Sequence, residues 1–169
     1  TFFKDGTLEY EGEWKAGERD GKGTWYWPNG RVRSIGTWRD TKFATGKLFN
    51  EAGVLRFEGG IQAGKMHGEG TCYRPNGQLW MTGTWNAGEA DGPGKLFIED
   101  GVLRYEGGMK GRWCHGEGTS YWPNGRVRVS GTWNAGKPDG PGKHFDENGS
   151  LVYEGGYKAG TRHGEGTSY

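Results

Sequence analysis

The sequence has no apolar run approaching the ~20 residues needed to cross a bilayer as a helix. It has no surplus of either charge: 22 basic residues stand against 21 acidic ones, leaving no polybasic field for nucleic acid or anionic lipid. Its two cysteines, Cys72 and Cys114, fall at unrelated places in the pattern described below, so there is no disulfide framework. Hydrophobic residues make up only 31% of the chain, and no stretch of sequence is left over for a second structural layer. What abounds is glycine, 36 residues, and aromatic side chains: nine Trp, eight Tyr and seven Phe. Glycine and proline together approach a quarter of the chain, a level that signals disorder when it is aperiodic.

Here it is periodic. Gly6, Gly30, Gly53, Gly77, Gly101, Gly125 and Gly149 are separated by 24, 23, 24, 24, 24 and 24 residues. Such self-similarity marks a repeat architecture. The chain is expected to be one continuous array over 1–169, with repeats starting near 6, 30, 53, 77, 101, 125 and 149. Numbering each repeat from its glycine, odd repeats read GTLEYEGEWKAGERDGKGTWYWPN (6–29) and even ones GRVRVSGTWNAGKPDGPGKHFDEN (125–148), so the fundamental unit is a pair of about 48 residues. Repeat 2 is one residue short and lacks the Ala-Gly of its turn (RDTKFATGK, 39–47). The chain opens and stops in mid-phrase and reads as a segment of a longer array.

Glycines this frequent cost up to ~1 kcal/mol each in a helix interior, whereas positions 3, 5, 7 and 9 alternate with period two, as in Leu8, Tyr10, Gly12 and Trp14. Each repeat is therefore expected to be a β-hairpin. Between hairpins, WPNGR suits a type I turn closed by a left-handed glycine. That loop sets position 21 opposite position 3 of the next repeat. Position 21 is aromatic throughout (Tyr26, Phe49, Tyr73, Phe97, Tyr121, Phe145 and Tyr169), and its rings are expected to share a face with positions 3, 5 and 9. The other face is expected to carry Glu11, Glu58, Glu106, Glu154, Arg56, Arg104 and Thr84, a solvated mixture.

YEGEWKAGERDGKGTWYWPNG, with three HGEGT stretches further on, resembles the MORN repeat. The 24-residue spacing and the DGPGKxF of the even repeats are closer to a variant found in bacterial antitoxin-like proteins. The resemblance implies an all-β fold: an elongated, twisted single-layer antiparallel sheet of tandem β-hairpins, curved into a groove. It also implies a scaffold or binding module, with partner peptides or helices in the groove or, in an alternative claimed for the family, lipid.

Residues that could carry chemistry read as structural. His67, His115 and His163 recur at position 15, with Asp20, Asp91 and Asp139 there in other repeats, and look like turn-capping residues. Four strands at ~4.8 Å separate successive histidines by roughly 19 Å, too far to share a metal. Cys114 adjoins His115, but neighbours in a strand point to opposite faces. Arg31 with Arg33, and Arg126 with Arg128, form basic spots beside Trp38 and Trp133 that read as solvated surface. No catalytic, cofactor or metal residues are assigned. The expected function is a non-enzymatic scaffold binding a protein partner, as peptide or helix, along a groove lined by Trp14, Trp38, Trp85, Tyr105, Trp133, Tyr153 and Tyr157. Alternatives are a lipid- or phosphoinositide-binding membrane module and a cell-wall glycan- or choline-binding array. Nucleic acid is not an expected partner. The expected compartment is the cytoplasm, with cytoskeletal or membrane association.

Overall fold

The computed structural model describes residues 1–169, and its regular structure is antiparallel strand throughout apart from one short 3-10 turn at Glu99–Gly101. The strands are β1 (Tyr10–Lys15), β2 (Glu18–Tyr26), β3 (Val32–Arg39), β4 (Lys42–Phe49), β5 (Leu55–Gln62), β6 (Lys65–Tyr73), β7 (Leu79–Asn86), β8 (Glu89–Phe97), β9 (Leu103–Gly111), β10 (Trp113–Tyr121), β11 (Val127–Asn134), β12 (Lys137–Phe145), β13 (Leu151–Lys158) and β14 (Thr161–Ser168). Strand order is sequence order. The all-β expectation of tandem hairpins holds. The chain divides into two compact units: Thr1–Leu79 with Trp85–Gly88, and Trp80–Thr84 with Glu89–Tyr169.

Two kinds of turn build both units. Within a repeat, Lys15-Ala16-Gly17-Glu18 and most of its relatives make two-residue turns with both central residues left-handed, as at Ala135 (φ 47°) and Gly136 (φ 81°), whereas in repeat 5 only Gly111 (φ 62°) of the Gly111-Arg112 pair is left-handed. This is the turn whose twist matches that of the strands it joins. Between repeats the expected three-residue loop is present: the Trp122 N–H donates to the Arg126 carbonyl at 2.8 Å, and the Gly125 N–H to the Trp122 carbonyl at 2.9 Å, with Gly125 left-handed.

The ladder contains two bulges per repeat, and neither is visible as a gap in the apolar pattern. Inside the hairpin, Gly131 pairs with Gly142 and Trp133 with Pro138, so three residues, Asp139 to Pro141, face Thr132 alone. Position 15 lies in this bulge, and His67, His115 and His163 are exposed there. Asp139 does reach a turn, accepting from the Ala159 N–H at 3.4 Å.

Between hairpins the second bulge reverses the expected faces. Position 20 pairs with position 5 (Ser120 with Val129, His144 with Tyr153), and position 21 with position 3 (Tyr121 with Val127, Phe145 with Leu151), leaving position 4 as the extra residue. The expected pairing of 21 with 3 is therefore correct, but the inserted residue breaks the alternation between positions 5 and 3. Position 21 does not join position 5. The Tyr26 hydroxyl instead donates to Glu11 at 3.2 Å, on the charged face. Position 20 takes its place among the rings, and the arginine at position 4 turns to the aromatic face. Arg33 lies 3.9 Å from the centre of the Trp25 ring, and Arg104 and Arg128 line a hollow beside Tyr105. The solvated placement expected for Arg104, and for Arg33 and Arg128, is thus corrected.

Candidate aromatic docking face

Position 5 is buried in every repeat, through Tyr10, Ser34, Phe57, Met81, Tyr105, Val129 and Tyr153. A single layer manages this by folding each ring along its own strand over glycines. Tyr105 covers Gly107 and Gly118: a β-carbon on Gly118 would collide with its ring, one on Gly107 with the facing Gly118 backbone and the Tyr105 hydroxyl, and that hydroxyl donates to the Gly108 carbonyl at 3.0 Å. Tyr153 repeats the arrangement with Gly155, Gly166 and the Gly156 carbonyl. The next repeat adds a tryptophan edge-on. Trp133 meets Tyr105 at 5.3 Å between ring centres, and its indole N–H donates to the Gly118 carbonyl at 3.0 Å. Trp85 meets Phe57 at 6.0 Å and donates to the Gly70 carbonyl at 3.3 Å. Trp38 meets Tyr10 at 5.2 Å. Odd-repeat ring and even-repeat tryptophan thus form one packing unit, which is why the pattern repeats every 48 residues. Such pairs contribute ~0.5–1.5 kcal/mol beyond their burial.

Of the expected groove residues, Trp38, Trp85, Tyr105, Trp133, Tyr153 and Tyr157 are buried in this layer, and Trp14 is 46% exposed. The structure brings them together in pairs rather than as one continuous stripe: Trp14 and Trp38 on Tyr10, Tyr105 with Trp133, and Tyr153 with Tyr157.

Position 14 differs among the odd repeats: Arg19, Met66, Cys114 and Arg162. Arg19 stands 5.3 Å from the Tyr10 ring centre, 5.2 Å from Trp25 and 5.0 Å from Trp38. Arg162 stands 4.4 Å from Tyr153. In repeat 5 the residue is Cys114, which is much shorter. Beside Tyr105, within the second unit, lies a hollow of about 540 Å³ bordered by Tyr105, Cys114, Trp133 and Tyr157. Its rim carries Arg104, Arg112, Arg128 and Lys137, and no carboxylate lines it. Trp113, 55% exposed, stands at the same edge over Gly136. The sequence pattern put Arg104 and Arg128 on solvated surface, and it did not single out Arg112 or Lys137, which lie at the hairpin turns.

The hollow is poorly suited to acid–base or thiol chemistry. Burial pushes the Cys114 thiol up to about 11, so it stays protonated and weakly nucleophilic at neutral pH. Burial, then the charges of Arg128 and Arg162, holds His144 below the ordinary histidine range. His144 stacks on Trp122, whose indole N–H donates to the Phe145 carbonyl at 3.0 Å. The opposite face is a ladder of exposed ion pairs: Lys47–Glu58 at 3.7 Å, Lys95–Glu106 at 3.0 Å and Lys143–Glu154 at 3.1 Å. No helix is long and apolar enough to cross a membrane.

Hairpins stacked through paired rings define a β-hairpin repeat protein, a class in which each repeat is stabilised by its neighbours. Comparison with family profiles narrows this. The MORN repeat matches residues 10–30, 57–79, 82–102, 105–125 and 153–169, and a MORN repeat variant matches 138–159. The chain belongs to the MORN-repeat family, whose repeats are commonly binding or scaffold modules and typically non-catalytic. No curated protein matches it.

Proposed function

We propose that the chain is a non-enzymatic scaffold that holds a protein partner, as an extended peptide or a helix, against its aromatic face, and that it works in the cytoplasm on cytoskeletal or membrane-associated partners. One observation carries the reading. The hollow beside Tyr105 is an open concavity with apolar and polar groups converging on it, the form that binding sites take. Three of the expected groove residues, Tyr105, Trp133 and Tyr157, border it. Aromatic residues at the centre of such a patch commonly dominate binding energy.

The reading is tested with a photo-crosslinking benzoylphenylalanine placed at Trp113, on the rim of the hollow, or at Glu106, on the ion-paired face. A protein crosslinked from position 113 and not from 106 is the expected result. Crosslinking only from position 106 refutes the assignment of the face.

A further inference from the structure

We infer that the hollow beside Tyr105 takes an acidic partner segment, one apolar side chain entering it and flanking carboxylates meeting the arginines of the rim. The inference rests on the reading of this face as a protein-docking surface and adds the chemistry of the segment. Two independent observations support it.

The first is a comparison within the chain itself. Repeats 1 and 7 fill the space above their tyrosine with their own Arg19 and Arg162. Repeat 5 has the shorter Cys114 at the same position, on the border of the hollow. Tyr105 is as deeply buried as Tyr10, 1% exposed in both cases, so in repeat 5 the ring is already covered and the hollow lies beside it, bordered by Cys114 and Trp113.

The second is charge. An internal guanidinium occupies the equivalent place elsewhere, which would argue for a cationic ligand. The rim decides against it. Arg104, Arg112, Arg128 and Lys137 surround the hollow without a carboxylate among them. Arg112 and Lys137 are exposed, and the Arg128 Nε is buried with no hydrogen-bond partner while its guanidinium lies 4.7 Å from the Trp122 ring. A further cation entering here meets four like charges. A carboxylate meets forked donors suited to it. The acidic residues of the second unit that are ion-paired, Glu106 and Glu154, are engaged with lysines on the opposite face.

The test selects from a phage-displayed random dodecapeptide library on the full chain, then measures the selected peptides on variants. Cys114→Arg is the decisive variant, because it puts the side chain of repeats 1 and 7 at the same position in repeat 5. It fills the hollow while adding positive charge. The expected result is enrichment of peptides with one large apolar residue flanked by Asp or Glu. Their affinity falls about tenfold in each of Arg112→Gln and Arg128→Gln, and at least tenfold in Cys114→Arg, with the near-ultraviolet dichroism of each variant unchanged. Acidic peptides that bind Cys114→Arg more tightly are held by general electrostatics and overturn the inference. Peptides without acidic bias that lose binding in Cys114→Arg also overturn it, but leave the docking face standing. Peptides indifferent to Cys114→Arg sink both. Pelleting with phosphatidylserine vesicles at physiological salt, abolished by Cys114→Arg in the absence of any selected peptide, assigns the hollow to a membrane headgroup instead.

Discussion

Substituting Gly118→Ala isolates the packing device on which the aromatic face depends. Gly118 is not left-handed, so its backbone accepts an alanine without strain. The obstacle is Tyr105: the new methyl would overlap its ring, with Cε2 at 2.7 Å and the hydroxyl and Cζ closer still. The ring cannot step aside cheaply, because it is 1% exposed, tied to the Gly108 carbonyl and packed edge-on against Trp133. Lifting it forfeits the hydroxyl bond, about 1 kcal/mol, and the ring pair, ~0.5–1.5 kcal/mol. Keeping it in place instead incurs overpacking strain of ~1–3 kcal/mol. By either route the expected loss is about 1–3 kcal/mol. Gly125→Ala is the informative control, since nothing lies within 4 Å of its added β-carbon but its φ is 81°; it should cost only the left-handed penalty, ~1–2 kcal/mol. Urea unfolding of the full chain, followed by near-ultraviolet dichroism, reads both. The clash is assigned by the background: in Tyr105→Val, Gly118→Ala should cost under about 1 kcal/mol. If Gly118→Ala is harmless, or equally harmful with and without the ring, the role given to these glycines is wrong.

Three further outcomes are expected. Trp133→Ala, at a site 7% exposed, should lose ~3–5 kcal/mol of stability, whereas the half-exposed Trp14→Ala should lose much less; equal thermal shifts would contradict the paired-ring description. Ala135→Asn, at φ 47° before Gly136, should raise the melting temperature by a stabilisation of about 0.5 kcal/mol, because Asn-Gly favours this turn and Ala does not. Burial raises both Cys72 and Cys114 from 9.0 to about 11. The folded pKa lies above the unfolded one, so this contribution to stability is complete below pH 9 and is lost as pH rises through 11; at pH 8 iodoacetamide should modify the folded chain far more slowly than the urea-unfolded one.

The hairpins and their turns were legible because each rests on local chemistry. Pro123-Asn124-Gly125 can make few other turns, and Gly-rich alternation excludes helix. The pairing of positions 21 and 3 followed from loop length alone. The side that position 21 faces did not follow, because a bulge has no signature in an alternating pattern: Arg128 at position 4 looks like an ordinary outward residue until pairing shows it to be the inserted one. The hollow was hidden for a related reason. It arises from the difference between Arg19, Cys114 and Arg162 at one repeat position, and a comparison of those three residues could have found it.

The short repeat shows how the bulges govern tolerance. Repeat 2 lacks one residue, yet its strands pair on both sides without a break. In the other described hairpins three residues oppose one between the paired glycines and position 9, as Asp20 to Lys22 do across from Glu13. In repeat 2, Thr37 pairs with Thr45 and Trp38 with Phe43, leaving Ala44 as the single extra residue. The deletion is therefore absorbed in the bulge. Gly36 still faces Gly46, and Trp38 still reaches Tyr10, 1% exposed and packed against Trp25 and Phe43 as well. The turn survives the loss of Ala-Gly because Asp40 and Thr41 adopt the same left-handed pair of conformations, φ 47° and 62°. For Thr41, β-branched, that conformation is a costly one, and the packing of Trp38 among three rings offsets it. The irregular segment of each repeat thus absorbs variation in length, and the ring pairs keep the face in register.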